Sequence, residues 1–350
     1  MKLIKQGFAF VCVIALALSL CACSGKAAKA EPQGKSYFSY FDTVSFVYSY
    51  AGDSAEQFND RSAEVSGILG EYHRLFDIYH EYSGINNLCT VNRLAGGEAV
   101  KVDKKLIDFM LYAKELCGVT NGEMDVTMGA VLSLWHDCRE AASNDPASAK
   151  VPTQEELEAA AEHTGFDLLE IDAENNTLRL TDPQASLDVG ALGKGYATER
   201  AAEYLESAGT ESYVLNIGGN IRIIGAKIDG SGWVTGIRNP QDPDGSFAVS
   251  LDLTDTACVT SGTYERYYMV DGEKYHHIID KDTLYPANYF ESLTIVTKDS
   301  ALADALSTAL FCMSYDDGLA LVEQLGVDAL WIFPDGSIRY TPGLEARIVK

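Results

Sequence analysis

The chain has few basic residues for its size: 27 Lys and Arg stand against 51 Asp and Glu, which gives a formal net charge of −24. A nucleic-acid-binding protein needs a basic surface to neutralise phosphates, so this composition argues against that class. The sequence also lacks a P-loop motif and a good dinucleotide-binding fingerprint. Any phosphate handling is therefore expected to be local, through backbone amides and a metal ion.

Long apolar runs are missing beyond the N-terminus, so no later segment is expected to span a bilayer. The chain begins with a basic start and an apolar run over residues 8–20, which is typical of an export signal. Residues 20–23, Leu-Cys-Ala-Cys, resemble a bacterial lipobox with Cys23 as the lipidated residue. We predict a lipoprotein signal peptide over residues 1–22 and a tether over residues 23–35. An ordinary cleaved signal peptide is the alternative.

This N-terminus predicts an exported protein that is lipid-anchored to the outer face of the cytoplasmic membrane. In a diderm cell the location would be the periplasmic or outer-membrane side. Beyond the signal, the cysteines are odd in number, widely spaced and without a C-x-x-C pair, which argues against a disulfide scaffold. They are Cys89, Cys117, Cys138, Cys258 and Cys312.

Residues 36–350 show no clean linker and no internal repeat, so we predict a single domain. Short apolar and β-branched runs predict a strand pair at residues 36–50 and strands at 168–172, 178–181, 213–216, 221–224, 233–237, 248–253, 267–270 and 277–280. Helical spacing and caps predict helices at residues 55–79, 104–119, 154–165, 194–208, 301–313 and 315–325. Many successive strands lie too close for crossover helices. The expected fold is α+β, with a mixed, largely antiparallel sheet flanked by helices.

Two glycine-rich segments are candidates for phosphate binding. Residues 188–195, DVGALGKG, lie between an apolar strand and a predicted helix, and residues 216–220, NIGGN, join two predicted strands. A glycine turn at a helix N-terminus gathers backbone N–H donors and the positive end of the helix dipole. Each segment taken alone is better explained as a simple turn than as a ligand site.

The helix predicted at residues 301–313 has a single charged residue, Asp304. Its apolar stripe and small opposite side predict burial nearly all round, and a bare buried carboxylate is costly. Thr308 lies one turn on, so two oxygen donors share one face. Such a pair suits Mg²⁺, which keeps waters and recruits substrate phosphates. A cap on Asp304 from an arginine or a loop amide is the alternative.

The remaining candidate catalytic residues are two histidines in the segment His276-His277-Ile278-Ile279-Asp280. Adjacent histidines are not spaced like a zinc site. One of them is a candidate general base because imidazole titrates near the working pH. A structural role is the alternative.

Taken in order, these segments resemble the ApbE family of FAD:protein FMN transferases, over about residues 40–313. Residues 41–43, FDT, stand where the family often has Met-Gly-Thr, and residues 124–129, MDVTMG, with Leu134 and Trp135 resemble its F-D-x-T-x-G…L-W segment. The family's other segments correspond to residues 76–88, 190–195, 216–219, 261–266, 277–280 and 301–310. Three positions depart from the pattern: Asp42 replaces Gly, Lys281 replaces Pro and Leu284 replaces Gly.

The resemblance implies an ApbE-like fold and an assignment of site residues. Mg²⁺ would be held by Asp304, Thr308 and the Ala191 carbonyl, and His277 would be the catalytic base. The implied FAD contacts are Phe41, Gly84, Ile85, Asn86, Asp125, Lys194 and His277.

The implied reaction transfers FMN from FAD, the substrate, onto a Thr or Ser hydroxyl of an exported acceptor flavoprotein and releases AMP. Two alternatives stay open: a pyrophosphatase that splits FAD to FMN and AMP, and a non-catalytic flavin-binding lipoprotein. A generic solute-binding lipoprotein is a further alternative, but it would not need the pairing of Asp304 with Thr308.

Overall fold

The computed structural model describes residues 32–242 and 245–349. Its strands are β1 (Gln33–Tyr40), β2 (Thr43–Ser49), β3 (Val100–Lys101), β4 (Leu169–Asp172), β5 (Thr177–Leu180), β6 (Tyr213–Ile217), β7 (Asn220–Ile224), β8 (Trp233–Arg238), β9 (Phe247–Leu253), β10 (Ala257–Gly262), β11 (Tyr267–Val270), β12 (Glu273–His276), β13 (Ser292–Thr297), β14 (Asp328–Ile332) and β15 (Ile338–Tyr340). Its helices are α1 (Ala55–Phe76), α2 (Leu88–Arg93), α3 (Lys104–Val119), α4 (Gly129–Asn144), α5 (Gln154–Ala161), α6 (Gly193–Ser207), α7 (Ser300–Ala309), α8 (Tyr315–Leu325) and α9 (Pro342–Glu345).

The main sheet of the described residues has eight strands in the order β1-β2-β6-β7-β10-β13-β14-β15. Every pairing between its neighbours is antiparallel. The predicted α+β fold with a largely antiparallel sheet is therefore confirmed. Three small sheets, β3-β5-β4, β8-β9 and β11-β12, complete the strand pairing.

Apolar side chains cover both faces of the main sheet. The largest core cluster joins one face to α1, α6 and α7, through residues such as Leu215, Ile295 and Leu306. On the other face, Ile223 and Leu330 pack with Ile237 and Leu251 of the β8-β9 hairpin. Because β13 is enclosed from both sides, five of its six residues are buried.

Helix caps account for most of the helix starts that the sequence predicted. Asp103 caps α3 by accepting the Lys105 N–H, and Ser54 and Thr153 each form a capping box that opens α1 and α5. A capping side chain satisfies N–H groups that have no partner within the helix. Helices α3 and α8 have the predicted bounds.

Several predicted boundaries are wrong. Residues 33–35, predicted in the tether, belong to β1 and pair with β2. The strand predicted at residues 277–280 is absent from the described residues, because the pairing with β11 ends at His276 and Asp280 then closes a turn. The helix predicted to reach residue 313 ends at Ala309 and continues as a 3-10 turn to Cys312.

Of the described elements, six strands (β3, β10, β12, β13, β14 and β15) and three helices (α2, α4 and α9) were not predicted. The predicted signal peptide and Cys23 lie outside the described residues. Within residues 32–242 and 245–349, no helix combines the length and the apolar character that crossing a membrane requires.

Candidate active-site cleft

A cleft of about 850 Å³ lies where the helix layer, the main sheet and the small hairpins meet. It has two parts. The helix part consists of residues 190–195, residues 216–221, Asp304 and Thr308. The turn part consists of Phe41, Asp42, Tyr79, Asp125, Arg266 and His277, which come from loops and turns.

The helix part begins with the glycine turn that precedes α6. Leu192 is the N-cap of α6 and makes no side-chain capping bond, and in the first turn the Gly195 N–H donates to the Asp304 carboxylate. Lys194 lies in this first turn, with its Nζ 3.4 Å from the Gly190 carbonyl. This geometry suits a phosphate ligand, because the helix dipole and the ammonium group both favour negative charge.

Asp304 lies in the interior of α7 and is only 4% exposed. Its Oδ2 accepts the Gly195 N–H at 2.8 Å, and Lys194 Nζ lies 3.5 Å from its Oδ1. With the Asn220 amide nitrogen turned toward it, Oδ1 has a further donor at 3.2 Å. Burial raises the pKa of Asp304, and Lys194 opposes that rise. The sequence offered an arginine or a loop amide as the alternative partner of Asp304. The structure shows a backbone amide, that of Gly195, together with a lysine, Lys194.

Gly195 makes this contact between α6 and α7 possible. A Cβ on Gly195 would lie 2.4 Å from both the Asp304 Cβ and the Ser300 carbonyl oxygen. Backbone at that position has no room to shift while both helices keep their packing. The glycine is therefore required by the close approach of the two helices.

The donors of the helix part suit a magnesium ion. Asp304, Thr308 and Ala191 all line the cleft and offer a carboxylate, a hydroxyl and a backbone carbonyl. Within the described residues, no group of three or more His, Cys, Asp and Glu side chains is arranged to hold a metal. A metal at Asp304 would thus have oxygen ligands of mixed type and would complete its shell from water and phosphate, as Mg²⁺ does.

His277 in the turn part is held in one tautomer. Its Nδ1 lies 3.2 Å from the Arg266 carbonyl oxygen, which only accepts, so Nδ1 carries the proton and Nε2 has a free lone pair. Burial, followed by the nearby Arg266 guanidinium, lowers the pKa of His277 to about 3. The ring is therefore neutral at pH 7. Its neighbour His276 is turned away, with Nε2 on the Ala287 carbonyl at 2.7 Å.

Phe41 and Asp42 form the two-residue turn between β1 and β2. Both have left-handed backbones, with φ of +53° and +51°. The Phe41 N–H donates to His73 Nδ1 at 3.3 Å, and the two rings meet edge to face. The hairpin thus places both residues in the cleft, although Asp42 stands at a position that favours glycine.

Asp125, which the resemblance predicts to contact FAD, also lines the cleft. Its Oδ1 accepts the Thr127 N–H at 2.8 Å and the Thr127 hydroxyl at 2.6 Å. These two bonds fix the direction of the carboxylate in the cleft.

The structure does not bring Gly84, Ile85 and Asn86 to the cleft. They line a second, separate depression, and Asn86 Nδ2 donates to the Lys101 carbonyl at 2.8 Å. The preceding loop enters the cleft instead, because Asp77 accepts the N–H groups of Tyr79 and His80 and turns the chain there.

The turn at Lys281 and Leu284, where the sequence departs from the family pattern, is held by contacts within this chain. The Asp280 carboxylate accepts the backbone N–H groups of Asp282 and Thr283. Leu284 adopts a left-handed φ of +63°, and its carbonyl accepts the Trp135 Nε1–H at 2.9 Å. Lys281 pairs with Glu123 at 3.2 Å.

Some cleft residues were missed from the sequence. His136 and Arg139 on α4 line the cleft, and the His136 ring lies against Tyr79 with a centroid distance of 5.1 Å. From the sequence, Asn220 is only the last residue of the NIGGN turn. The one sequence signal for His136 and Arg139 is that they lie one helical turn apart after the MDVTMG segment.

The chain is similar to proteins of one family throughout this region. The sequence model described as the ApbE family matches residues 43–331. An FAD:protein FMN transferase of Vibrio cholerae is 33% identical over 270 residues, which cover 77% of this chain and 78% of the relative. A protein of the same name from Treponema pallidum is 31% identical over 306 residues, covering 82% and 83%.

Solved structures agree with the sequence matches. The crystal structure of the ApbE protein from Thermotoga maritima has a TM-score of 0.79 at 28% identity and covers 91% of this chain and 100% of that chain. The flavin transferase ApbE from Vibrio cholerae has a TM-score of 0.73 at 28% identity, covering 91% and 99%.

Proposed function

This chain belongs to the ApbE family, and from that premise we propose that it transfers FMN from FAD onto a Thr or Ser hydroxyl of an acceptor protein and releases AMP. The observation that carries the proposal is the meeting of Asp304, Lys194 and His277 in one cleft. The cleft, at about 850 Å³, is also of a size that holds a small-molecule ligand, since such pockets span roughly 300–1,000 Å³.

The helix part would bind the pyrophosphate of FAD. Lys194 and the positive end of the α6 dipole supply local positive charge on a protein whose formal net charge is −24. Asp304, Thr308 and the Ala191 carbonyl would hold Mg²⁺, which when bound would screen the phosphate charge and ease departure of the leaving group. Burial in the absence of a cation raises the pKa of Asp304, and a bound cation would favour its ionised form.

His277 would act as the general base. The acceptor hydroxyl oxygen attacks the FMN-side phosphorus, its proton passes to His277 Nε2, and the bond from that phosphorus to the bridging oxygen breaks. The products are an FMN–protein phosphoester and AMP. The neutral ring, with Nδ1 bound to the Arg266 carbonyl, has Nε2 ready to accept the proton. An anionic phosphate near His277 would raise its pKa from about 3 toward the working pH.

The test is to incubate the protein with FAD, Mg²⁺ and a peptide that bears a Thr, and to measure the peptide mass. A matched peptide with Ala in place of the Thr is the control. An FMN adduct on the Thr peptide alone supports the transferase. FMN and AMP released without an adduct would indicate a pyrophosphatase, and intact FAD would indicate a flavin-binding protein.

We also propose that the protein is exported and lipid-anchored through Cys23, so that its acceptor is an exported or membrane redox protein. The proposal rests on the N-terminal sequence, which has a basic start, an apolar run and a lipobox-like end. Metabolic labelling with a radioactive fatty acid should mark the wild-type protein and not Cys23→Ala. Equal labelling of the two proteins would contradict the anchor.

A further inference from the structure

A buried ion pair lies one helical turn along α6 from Gly195, the residue that binds Asp304, and has no part in the chemistry proposed above. Arg222 of β7 is 0% exposed and Glu199 of α6 is 7% exposed. The Arg222 Nε lies 3.2 Å from Glu199 Oε2. Arg222 is further bound by Glu206 at 2.7 Å, and Asp255 lies 3.8 Å from its guanidinium.

The pair also reaches helix α7. Glu199 Oε2 accepts the backbone N–H of Ser300, the first residue of α7, at 2.7 Å. A carboxylate at this position both satisfies an N–H group that has no partner within the helix and interacts favourably with the helix dipole.

The contacts around Glu199 repeat those around Asp304, one helical turn away on each helix and two residues away on the strand. Gly195 and Glu199 lie one turn apart on α6, as do Ser300 and Asp304 on α7. On β7, Asn220 and Arg222 are two residues apart, so their side chains lie on the same face of the strand. The three elements are therefore joined at two successive levels, and Glu199 and Arg222 form the level that contains no substrate-binding group.

We propose that Glu199 and Arg222 are positioning residues that fix α7 along its axis against α6, and thereby set Asp304 and Thr308 relative to the glycine turn. This inference rests on the proposed function, because it concerns the placement of the proposed metal ligands. A purely stabilising role is a poor explanation of the pair. Replacing a buried ion pair with apolar residues of similar volume is often neutral or even stabilising.

The experiment compares three variants with the wild type. Mn²⁺ is titrated into each protein in the presence of FAD and without acceptor, and electron paramagnetic resonance measures the Mn²⁺ dissociation constant. Glu199→Met/Arg222→Met removes both charges and the acceptor for the Ser300 N–H. Glu199→Gln keeps an oxygen for that N–H. Asp53→Met/Arg61→Met is the control, because Asp53 and Arg61 also form an ion pair, which is partly buried and lies outside the cleft.

We expect the Mn²⁺ dissociation constant to rise about 10–100-fold in Glu199→Met/Arg222→Met, which is the loss typical of substitutions at residues that orient metal ligands. Glu199→Gln and the control pair should stay within about threefold of the wild type, which is below that range. Hydrogen exchange at the amides of residues 300–304 should be faster only in Glu199→Met/Arg222→Met.

Equal Mn²⁺ affinity in Glu199→Met/Arg222→Met and the wild type would overturn the inference, and so would an equal loss in the control pair. If the Met pair at 199 and 222 does not fold, Glu199→Ala provides a second test: it removes the Ser300 acceptor and one partner of Arg222, which keeps its contact with Glu206. A wild-type protein that neither binds Mn²⁺ nor transfers FMN would refute the proposed function itself. A wild type that does both leaves the variants as a test of this inference only.

Discussion

The two parts of the cleft are built under different constraints. In the helix part, Gly195 lies where α6 and α7 approach so closely that a Cβ would be 2.4 Å from neighbouring atoms. In the turn part, Asp42 stands where the family pattern has glycine, as does Leu284 in the turn that follows Asp280, and both adopt left-handed backbones. Glycine is thus required by packing in the first case and favoured by backbone conformation in the second.

The difference shows how much change each part tolerates. A left-handed backbone costs an ordinary residue about 1–2 kcal/mol, and Asp is among those that bear it best. Such a cost can be offset elsewhere in the protein. A close contact between two helix backbones offers no such compensation, because the atoms that would be displaced also hold Asp304.

The largest effect is expected at Asp304, the centre of the helix part. Asp304→Asn should lower the rate of FMN transfer by more than about a hundredfold, beyond the loss typical of residues that only support metal ligands. The free energy of unfolding should not fall, because burial raises the pKa of Asp304 and the ionised form is costly in the fold. Adduct mass and urea unfolding measure the two quantities. An undiminished rate would contradict the role of Asp304.

Gly195→Ala tests the packing constraint directly. We expect a loss of about 1–3 kcal/mol in the free energy of unfolding, the range for overpacked cores, together with a loss of transfer activity. Gly67→Ala is the matched control, because Gly67 lies in helix α1 with open space around it. That substitution should stabilise the protein by about 0.5–1 kcal/mol. Similar effects of the two substitutions would remove the basis of the comparison.

His277 allows a test of the turn part by pH. Its pKa is lowered from 6.5 to about 3, so the unfolded chain binds more protons than the folded protein between these values. Stability is therefore lost as the pH falls from about 6.5 toward 3. The buried His276, whose pKa is also lowered, contributes in the same direction. Urea unfolding at a series of pH values should show a smaller loss in His277→Gln, and an unchanged loss would contradict the lowered pKa of His277.

The smallest effects should come from restoring glycine in the two turns. Asp42→Gly relieves roughly 1 kcal/mol of backbone strain and loses part of it to the entropy of the unfolded chain, so a stabilisation of about 0.5 kcal/mol is expected. Leu284→Gly relieves similar strain but removes a buried side chain worth about 1.5–3 kcal/mol, so it should destabilise. Urea unfolding distinguishes the two signs. Stabilisation by Leu284→Gly would show that strain outweighs packing there.

The sequence predicted elements well where a local signal marks them. Asp103 and Thr153 identify helix starts by their side chains, and β11 alternates buried and exposed residues over its predicted bounds. It failed for β13, which is buried on both faces and so shows no alternation. It also took residues 277–280 for a strand. Ile278 and Ile279 are buried there because they lie between the core and the cleft.

The candidate site, too, has features that the sequence predicted and features that only the tertiary structure shows. The one-turn spacing of Asp304 and Thr308 and the lack of other charge on their helix are properties of the sequence alone, because a helix fixes which residues share a face. The tertiary structure decided what Asp304 meets: Gly195, 109 residues away along the chain, the Lys194 ammonium and the Asn220 amide. It also decided that residues 84–86 face away from the cleft. Contacts of this kind depend on how separate elements pack, and no local pattern in the chain encodes that packing.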